Sequence, residues 1–253
     1  MKRSLIILFF FLLTFASAEN LPAYIAKYDK DLAIELYKDE LSSGKERSET
    51  YLALANLYNE IGKVGLAEDC YRHLLDMHND SLTLYQTYLE FLYQNQSYVK
   101  LRYVIEDKGY SQDWSQYLVA KSYFQEGKFD SSFQVSSALS DDMAGKLKHF
   151  SFEGIGIKYR SPALGGIMSA IIPGSGKVYA GRLFDGFQAF TVVAAPAYNA
   201  YYHFSKNGVG SVQAWVWTAV ASWFYLSDIY GSIKAVHEYN EMQQLKIIER
   251  YEQ

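Results

Sequence analysis

The chain is short of cysteine and of positive charge, and each shortage excludes a class of site or function. Cys70 is the only cysteine, so an internal disulfide and a metal site built on cysteine pairs are both excluded. The formal net charge is −4, whereas nucleic-acid-binding domains present a basic stripe or patch. We therefore expect no nucleic-acid partner. Cys70 falls on the apolar face of a predicted helix, where it is expected to act as a small buried hydrophobe.

Catalytic motifs are missing as well. The five histidines show no His-x-x-x-His spacing that would place two metal ligands on one helix face, and no Gly-x-Ser-x-Gly elbow is present. Residues 174–177 read Gly-Ser-Gly-Lys, but a phosphate-binding loop needs glycine at position 171 and serine or threonine at position 178. Those positions hold Ile171 and Val178. We expect no catalytic residue, no metal, no cofactor and no enzymatic activity.

The first 18 residues have the pattern of a secretory signal peptide. A basic start, Met1-Lys2-Arg3, precedes an apolar run over residues 4–15 and the small residues Ala16-Ser17-Ala18. The apolar run is short for a membrane span of about 20 residues, which favours cleavage after Ala18. An uncleaved anchor helix is the alternative, and a lipoprotein is not expected because no cysteine follows the leader.

Residues 19–150 have the 3.6-residue apolar spacing of paired amphipathic helices. Within residues 48–79 lies a spaced set of small, aromatic and aliphatic residues: Tyr51, Leu54, Ala55, Tyr58, Gly62, Ala67, Tyr71 and Leu74. This set resembles the tetratricopeptide repeat, a hairpin of two antiparallel helices. The alanines let the helices approach, the glycine provides a permissive turn, and Tyr58 and Tyr71 fill the groove. The resemblance implies a stack of hairpins whose concave groove binds a protein or peptide partner.

Further copies of this pattern are weaker. One copy keeps Ala120, Tyr123 and Gly127, and another carries Gln96 where the turn glycine is expected, so it is degenerate. A half-copy covers residues 31–41. The alternative to a repeat stack is a plain helical bundle without a groove.

Residues 183–234 are apolar and aromatic, which predicts a hairpin of two membrane-spanning helices over residues 183–204 and 212–230. Four polar residues interrupt these spans: Asp185, Gln188, Asn199 and Asp228. The hairpin would bring the two aspartates to one membrane surface, either as an ion or proton site or as carboxylates in the headgroup zone. A buried hairpin in a water-soluble fold is the alternative.

A turn motif precedes the predicted spans. Its residues are Pro173, Gly174, Gly176, Tyr179 and Gly181. With the two apolar segments that follow, the motif resembles bacterial two-transmembrane-helix domains, several of them of unknown function, that carry a Pro-Gly-x-Gly-x-x-Tyr-x-Gly turn. The resemblance covers residues 162–240 and implies a membrane location. Residues 163–172, too short to span, are expected to lie in the membrane interface or to re-enter it.

These patterns predict an all-α protein in which helical-hairpin repeats, an α-solenoid, precede a two-helix transmembrane hairpin. The predicted segments are a signal peptide (1–18), a repeat domain (19–150), a linker with an interfacial segment and the Pro-Gly-Ser-Gly turn (151–182), the transmembrane hairpin (183–234) and a polar helical tail (235–253). We expect a scaffold or adaptor at the inner membrane of a Gram-negative-like bacterium. Its repeats would lie in the periplasm and bind a protein or peptide partner, and the hairpin would contact membrane lipid. The alternative is a membrane protein whose hairpin itself serves transport or lipid handling, with the repeats as a regulatory cap. A soluble enzyme is the least favoured function.

Overall fold

The computed structural model describes residues 21–44, 47–78 and 81–253, and the predicted signal peptide lies outside these residues. The described residues form thirteen helices and no strand, in a repeat-like arrangement, so the all-α prediction is confirmed. In chain order the helices are α1 (Leu21–Ile25), α2 (Lys30–Ser42), α3 (Ser48–Glu60), α4 (Val64–Met77), α5 (Leu82–Gln94), α6 (Tyr98–Asp107), α7 (Asp113–Gln125), α8 (Phe129–Ser136), α9 (Asp141–Ile155), α10 (Pro162–Ile171), α11 (Ser175–Tyr179), α12 (Leu183–Asn207) and α13 (Val212–Glu252).

The chain divides into two compact units. Unit 1 is Met1–Lys108 and unit 2 is Gly109–Gln253. In unit 1 the helices pack in chain order, so that α1 packs on α2 and each of the next helices packs on its successor up to the α5–α6 pair. Neighbour-to-neighbour packing is how helical repeats bury apolar stripes that a single hairpin cannot cover. The side chains of Leu54, Leu74 and Leu89 are almost fully buried, so successive helices contribute to the core.

The turns between paired helices share one hydrogen-bond pattern. After α3, the Lys63 N–H donates to the Tyr58 carbonyl oxygen at 2.8 Å, and the Gly62 N–H donates to the Asn59 carbonyl oxygen at 3.0 Å. This is the Schellman arrangement, in which one residue adopts positive φ. The same arrangement ends three other helices, and the φ angles at the four turn residues are +75° at Gly62, +56° at Gln96, +70° at Gly127 and +85° at Gly181. The degenerate repeat copy therefore makes the same turn without a glycine.

Unit 2 is organised along α13, which has 41 residues and is about 60 Å long at 1.5 Å per residue. Its C-terminal part shares a core cluster with α7, α8 and α9: Ala120, Phe124, Phe129, Leu147, Ile247, Ile248 and Tyr251. Its N-terminal part packs on α12, and α10 and α11 also pack on α13. One helix thus connects the hairpins of unit 2 with the apolar segment, and residues 235–253 belong to that same helix.

The predicted transmembrane hairpin is wrong. Among the residues that the structure describes, no helix combines the length and the apolar character needed to cross a bilayer. Polar side chains at Asp185, Gln188 and Asn199 interrupt α12, and such groups are costly in lipid. The predicted membrane anchor and the inner-membrane location depended on these spans and are also wrong. The alternative of a membrane-embedded transport function loses the same basis. The periplasmic placement of the repeats depended on the predicted signal peptide, which lies outside the described residues.

Candidate functional site

The glycine-rich turn between α10 and α12 is a close contact of backbones. Gly174 has φ +84°, and a Cβ atom there would lie 2.0 Å from the Gly186 carbonyl oxygen. A Cβ atom at Gly176 would lie 2.0 Å from the Gly165 carbonyl oxygen. No L side chain fits either position, because such distances are far inside van der Waals contact. The motif glycines therefore bring α10, α11 and α12 together.

Two buried serines connect this turn to α13. The hydroxyl oxygens of Ser169 and Ser232 lie 2.7 Å apart, and the Gly176 N–H donates to the Ser169 hydroxyl at 3.0 Å. Both serines are fully buried. A buried hydroxyl needs a hydrogen-bond partner, so each side chain here satisfies its neighbour and fixes the position of the turn on α13.

A buried ion pair lies beside the serines. Asp228, on α13, is 4% exposed, and its Oδ2 accepts a hydrogen bond from the Gly174 N–H at 2.6 Å. The Lys177 Nζ lies 2.9 Å from Asp228 Oδ1, so the ammonium and the Gly174 N–H together satisfy this carboxylate. The turn thus holds its lysine against a buried carboxylate.

The ion pair belongs to the lining of a half-open cavity of about 320 Å³. Its lining combines both charges, amide and hydroxyl groups, and apolar side chains: Lys177, Asp185, Gln188, Ala189, Val192, Val193, Phe224, Ser227 and Asp228. The cavity brings together three of the four polar residues that the sequence singled out. Asn199 is not among them, and its side-chain amide donates to the Ala195 carbonyl oxygen at 2.9 Å. A cavity of this size with a few converging polar groups is typical of small-ligand sites.

Tyr179 of the motif contacts an arginine that the sequence did not single out. The Arg160 guanidinium lies 3.9 Å from the Tyr239 ring centroid and 5.5 Å from that of Tyr179, and it donates to the Tyr179 carbonyl oxygen. The Arg160 backbone N–H donates to the Asn240 side chain at 2.9 Å, and the Asn240 amide donates back to the Arg160 carbonyl at 2.8 Å. These contacts hold the chain before α10 against α13. The residues are up to 80 positions apart in sequence, so no local pattern indicates them.

The predicted repeat residues take structural positions. Those with buried side chains are Leu54, Ala55, Tyr58, Ala67, Tyr71, Leu74 and Ala120. Tyr51 and Tyr123 are half-buried, and the Tyr51 ring lies 4.5 Å from the His73 ring, centroid to centroid.

Cys70 is half-buried, and burial raises the pKa of its thiol to about 11, so little thiolate is present near neutral pH.

Unit 1 also carries a shallow groove of about 680 Å³. It is lined by the α3–α4 turn, the first half of α4 and one lysine of α6: Gly62, Lys63, Val64, Gly65, Leu66, Glu68, Asp69, Arg72 and Lys100. The Lys100 ammonium lies 2.6 Å from Glu68. The Tyr88 hydroxyl donates to the same carboxylate at 3.3 Å. The groove therefore offers charged groups of both signs around the half-exposed side chain of Leu66.

Helices α12 and α13 each bury a face of mostly small residues and expose an aromatic one. In α12 the exposed set follows helical spacing, at 3 or 11 residues apart, and α13 has a similar set. We define the α12–α13 apolar face as the side chains of Phe184, Phe187, Tyr198, Tyr201, Val212, Trp215, Trp223 and Tyr230, which are 56–78% exposed. Aromatic surface of this extent is typical of interaction sites. The sequence predicted apolar helices here but assigned these side chains to lipid.

No group of three or more histidine, cysteine, aspartate or glutamate side chains in the described ranges is placed to hold a metal ion. Comparison of the chain with protein-family models, with curated protein sequences and with solved structures gives no match.

Proposed function

We propose that this chain is a scaffold or adaptor that binds other proteins. The observation that carries the proposal is the α12–α13 apolar face. Its seven aromatic side chains alone offer roughly 1,000 Å² of surface, at about 150–250 Å² for a whole side chain. A stable protein interface covers about 800 Å² on each partner. Aromatic residues are also the ones enriched at the centres of interfaces.

The helical hairpins of unit 1 supply the second surface of the proposed adaptor. Their buried alanines and tyrosines, and the turns at Gly62 and Gln96, agree with the tetratricopeptide-like packing that the sequence resembles. The groove beside Leu66 is shallow and open, which suits an extended peptide, and its charges could select complementary charges on that peptide. We place the protein or peptide partner of the repeats in this groove.

Site-specific photocrosslinking in the source cells tests the proposal. A photoreactive phenylalanine analogue at Trp223 reports on the α12–α13 apolar face, and one at Leu66 reports on the groove. The matched control position is Glu241, which is exposed on α13 outside the apolar face. We expect the same discrete protein adducts in replicate cultures from Trp223 and from Leu66, and none from Glu241.

A charge placed on each surface shows whether an adduct depends on it. Phe187→Glu should remove the Trp223 adducts because a desolvated carboxylate opposes apolar contact. Asp69→Lys should weaken the Leu66 adducts without changing those from Trp223. Adducts that survive both substitutions, or protein that floats with phospholipid vesicles and gives no adduct, would contradict the adaptor function.

A further inference from the structure

The cavity at the Lys177–Asp228 ion pair has an excess of negative charge. Lys177 is its only cationic side chain, and Asp185 and Asp228 are its two carboxylates. Lys177 already neutralises Asp228 at 2.9 Å, so the carboxylate of Asp185 has no counterion in the lining. Asp185 is exposed, and a ligand with one positive charge would give this carboxylate a partner and make the lined cavity neutral.

The cavity also provides acceptors for such a ligand. Asp228 Oδ1 is buried and contacts the Lys177 ammonium at 2.9 Å. The Gln188 amide oxygen, the Ser227 hydroxyl and the Asp185 carboxylate add further acceptors. An ammonium group brings three donors and no acceptor, so it complements this set.

The lining also includes apolar side chains, which are those of Ala189, Val192, Val193 and Phe224. Apolar side chains contact a short alkyl chain, and an aromatic ring also attracts a cation over its face. From the charge of Asp185, the acceptors and the apolar lining, we infer that the cavity binds a primary ammonium group on a short alkyl chain. A free alkylamine and the lysine side chain of another protein share this chemistry.

Ligand-observed saturation-transfer NMR with the purified full chain tests the inference, and it requires no protein partner. The probe is n-butylammonium, with butyrate and 1-butanol as matched probes of opposite and zero charge. We expect saturable binding of n-butylammonium and binding at least about 10-fold weaker for the other two. Ammonium chloride should bind still more weakly, since each methylene strengthens binding by about 2- to 4-fold.

Two variants locate the binding. Asp185→Asn keeps the side-chain shape and removes the charge, and it should weaken n-butylammonium by about 5- to 10-fold. Asp142→Asn, an exposed aspartate at the start of α9, is the matched control and should change nothing. Val192→Trp fills the cavity from a partly exposed position and should abolish binding while the far-UV circular dichroism stays unchanged.

The outcomes separate the inference from the adaptor function. Three results would overturn the inference of an ammonium site. They are non-saturable binding, butyrate binding as tight as that of n-butylammonium, and equal effects of the two aspartate variants. An N-acetyl-lysine methylamide that binds like n-butylammonium, but not after acetylation of its side-chain amine, identifies a protein side chain as the natural ligand. Binding of n-butylammonium without the lysine derivative identifies a free amine. Neither result depends on the crosslinking experiment.

Discussion

The turn at Gln96 provides a direct measure of backbone strain in unit 1. Gln96 is the only non-glycine residue with positive φ in the part of the chain that the structure describes, and its side chain is exposed. An L residue in the left-handed region costs about 1–2 kcal/mol. Glycine removes that cost but adds about 0.5–1 kcal/mol of entropy to the unfolded chain. We expect Gln96→Gly to raise the free energy of unfolding by about 0.5–1 kcal/mol.

Two substitutions in the neighbouring hairpin form an internal control, because they should change the free energy of unfolding in opposite directions. Gly62 has φ +75°, and Gly65 lies in helix α4, three residues later. A Cβ atom at either position meets nothing within 4 Å, so steric clash contributes to neither result. Gly62→Ala should destabilise by about 1 kcal/mol because alanine is strained at positive φ. Gly65→Ala should stabilise by about 0.5 kcal/mol because alanine is the better helix former.

Urea unfolding followed by two signals provides the assay. All four tryptophans lie at positions 114, 215, 217 and 223, within unit 2, so tryptophan fluorescence reports that unit. Far-UV circular dichroism reports both units. The midpoint of the circular dichroism transition should rise for Gln96→Gly and Gly65→Ala and fall for Gly62→Ala, with the slope unchanged. A fall for Gln96→Gly, or shifts of the same sign for the two alanine variants, would refute the assignment of strain to φ.

Three further changes test unit 2 and the buried thiol. Gly174→Ala places a methyl group 2.0 Å from a carbonyl oxygen and should cost about 3 kcal/mol or more. Gly181→Ala should cost about 1 kcal/mol, because its Cβ would meet the Arg160 guanidinium only at 3.8 Å, an ordinary van der Waals contact. Equal losses of thermal stability would contradict this packing. In a double-mutant cycle with Lys177→Met and Asp228→Asn, the coupling energy from urea unfolding should be about 1–3 kcal/mol, and additive effects would show that the pair does not interact. With a pKa raised to about 11 by burial, Cys70 should react with iodoacetamide at pH 8 at least about 10-fold more slowly in the folded protein than in urea. Its rate should climb as the pH approaches 11, and a plateau near pH 9 would contradict the raised pKa.

The hairpins of unit 1 could be read from the sequence because their determinants are local. Ala55, Gly62 and Ala67 lie within a span of thirteen residues. The structure buries both alanines and gives the glycine positive φ. The left-handed conformation of Gln96 could not be predicted from the neighbouring residues. Nothing in its local sequence favours the left-handed region, and the chain adopts it because the helices on either side pack on each other. Tertiary contacts here determine a conformation that residue preference opposes.

The site in unit 2 depends on contacts between distant residues. The Ser169–Ser232 pair joins residues 63 positions apart, and the Gly174–Asp228 hydrogen bond joins residues 54 apart. Helical periodicity within one segment cannot indicate either contact. The motif glycines predict a turn from the sequence alone. Why Gly174 and Gly176 exclude every side chain becomes clear only from the backbone carbonyl groups that lie against them. Lys177 was set aside when the phosphate-loop pattern failed, and its role as the partner of Asp228 appears only in three dimensions.

The error over the apolar segment has a related physical origin. Both predicted spans were recognised from average apolarity, which does not distinguish the two faces of a helix. In α12 and α13 the buried face carries small and polar residues such as Gly186, Ala189 and Ser232, which suit close packing of helices. The outward face carries the large aromatics. A lipid-facing hairpin would leave Asp228 as a carboxylate near a membrane surface, whereas here Lys177 and the Gly174 N–H satisfy it inside the fold. Of the polar residues that interrupt the apolar segment, Asp228 therefore organises its core, and Asp185 and Gln188 join Asp228 in the lining of the cavity.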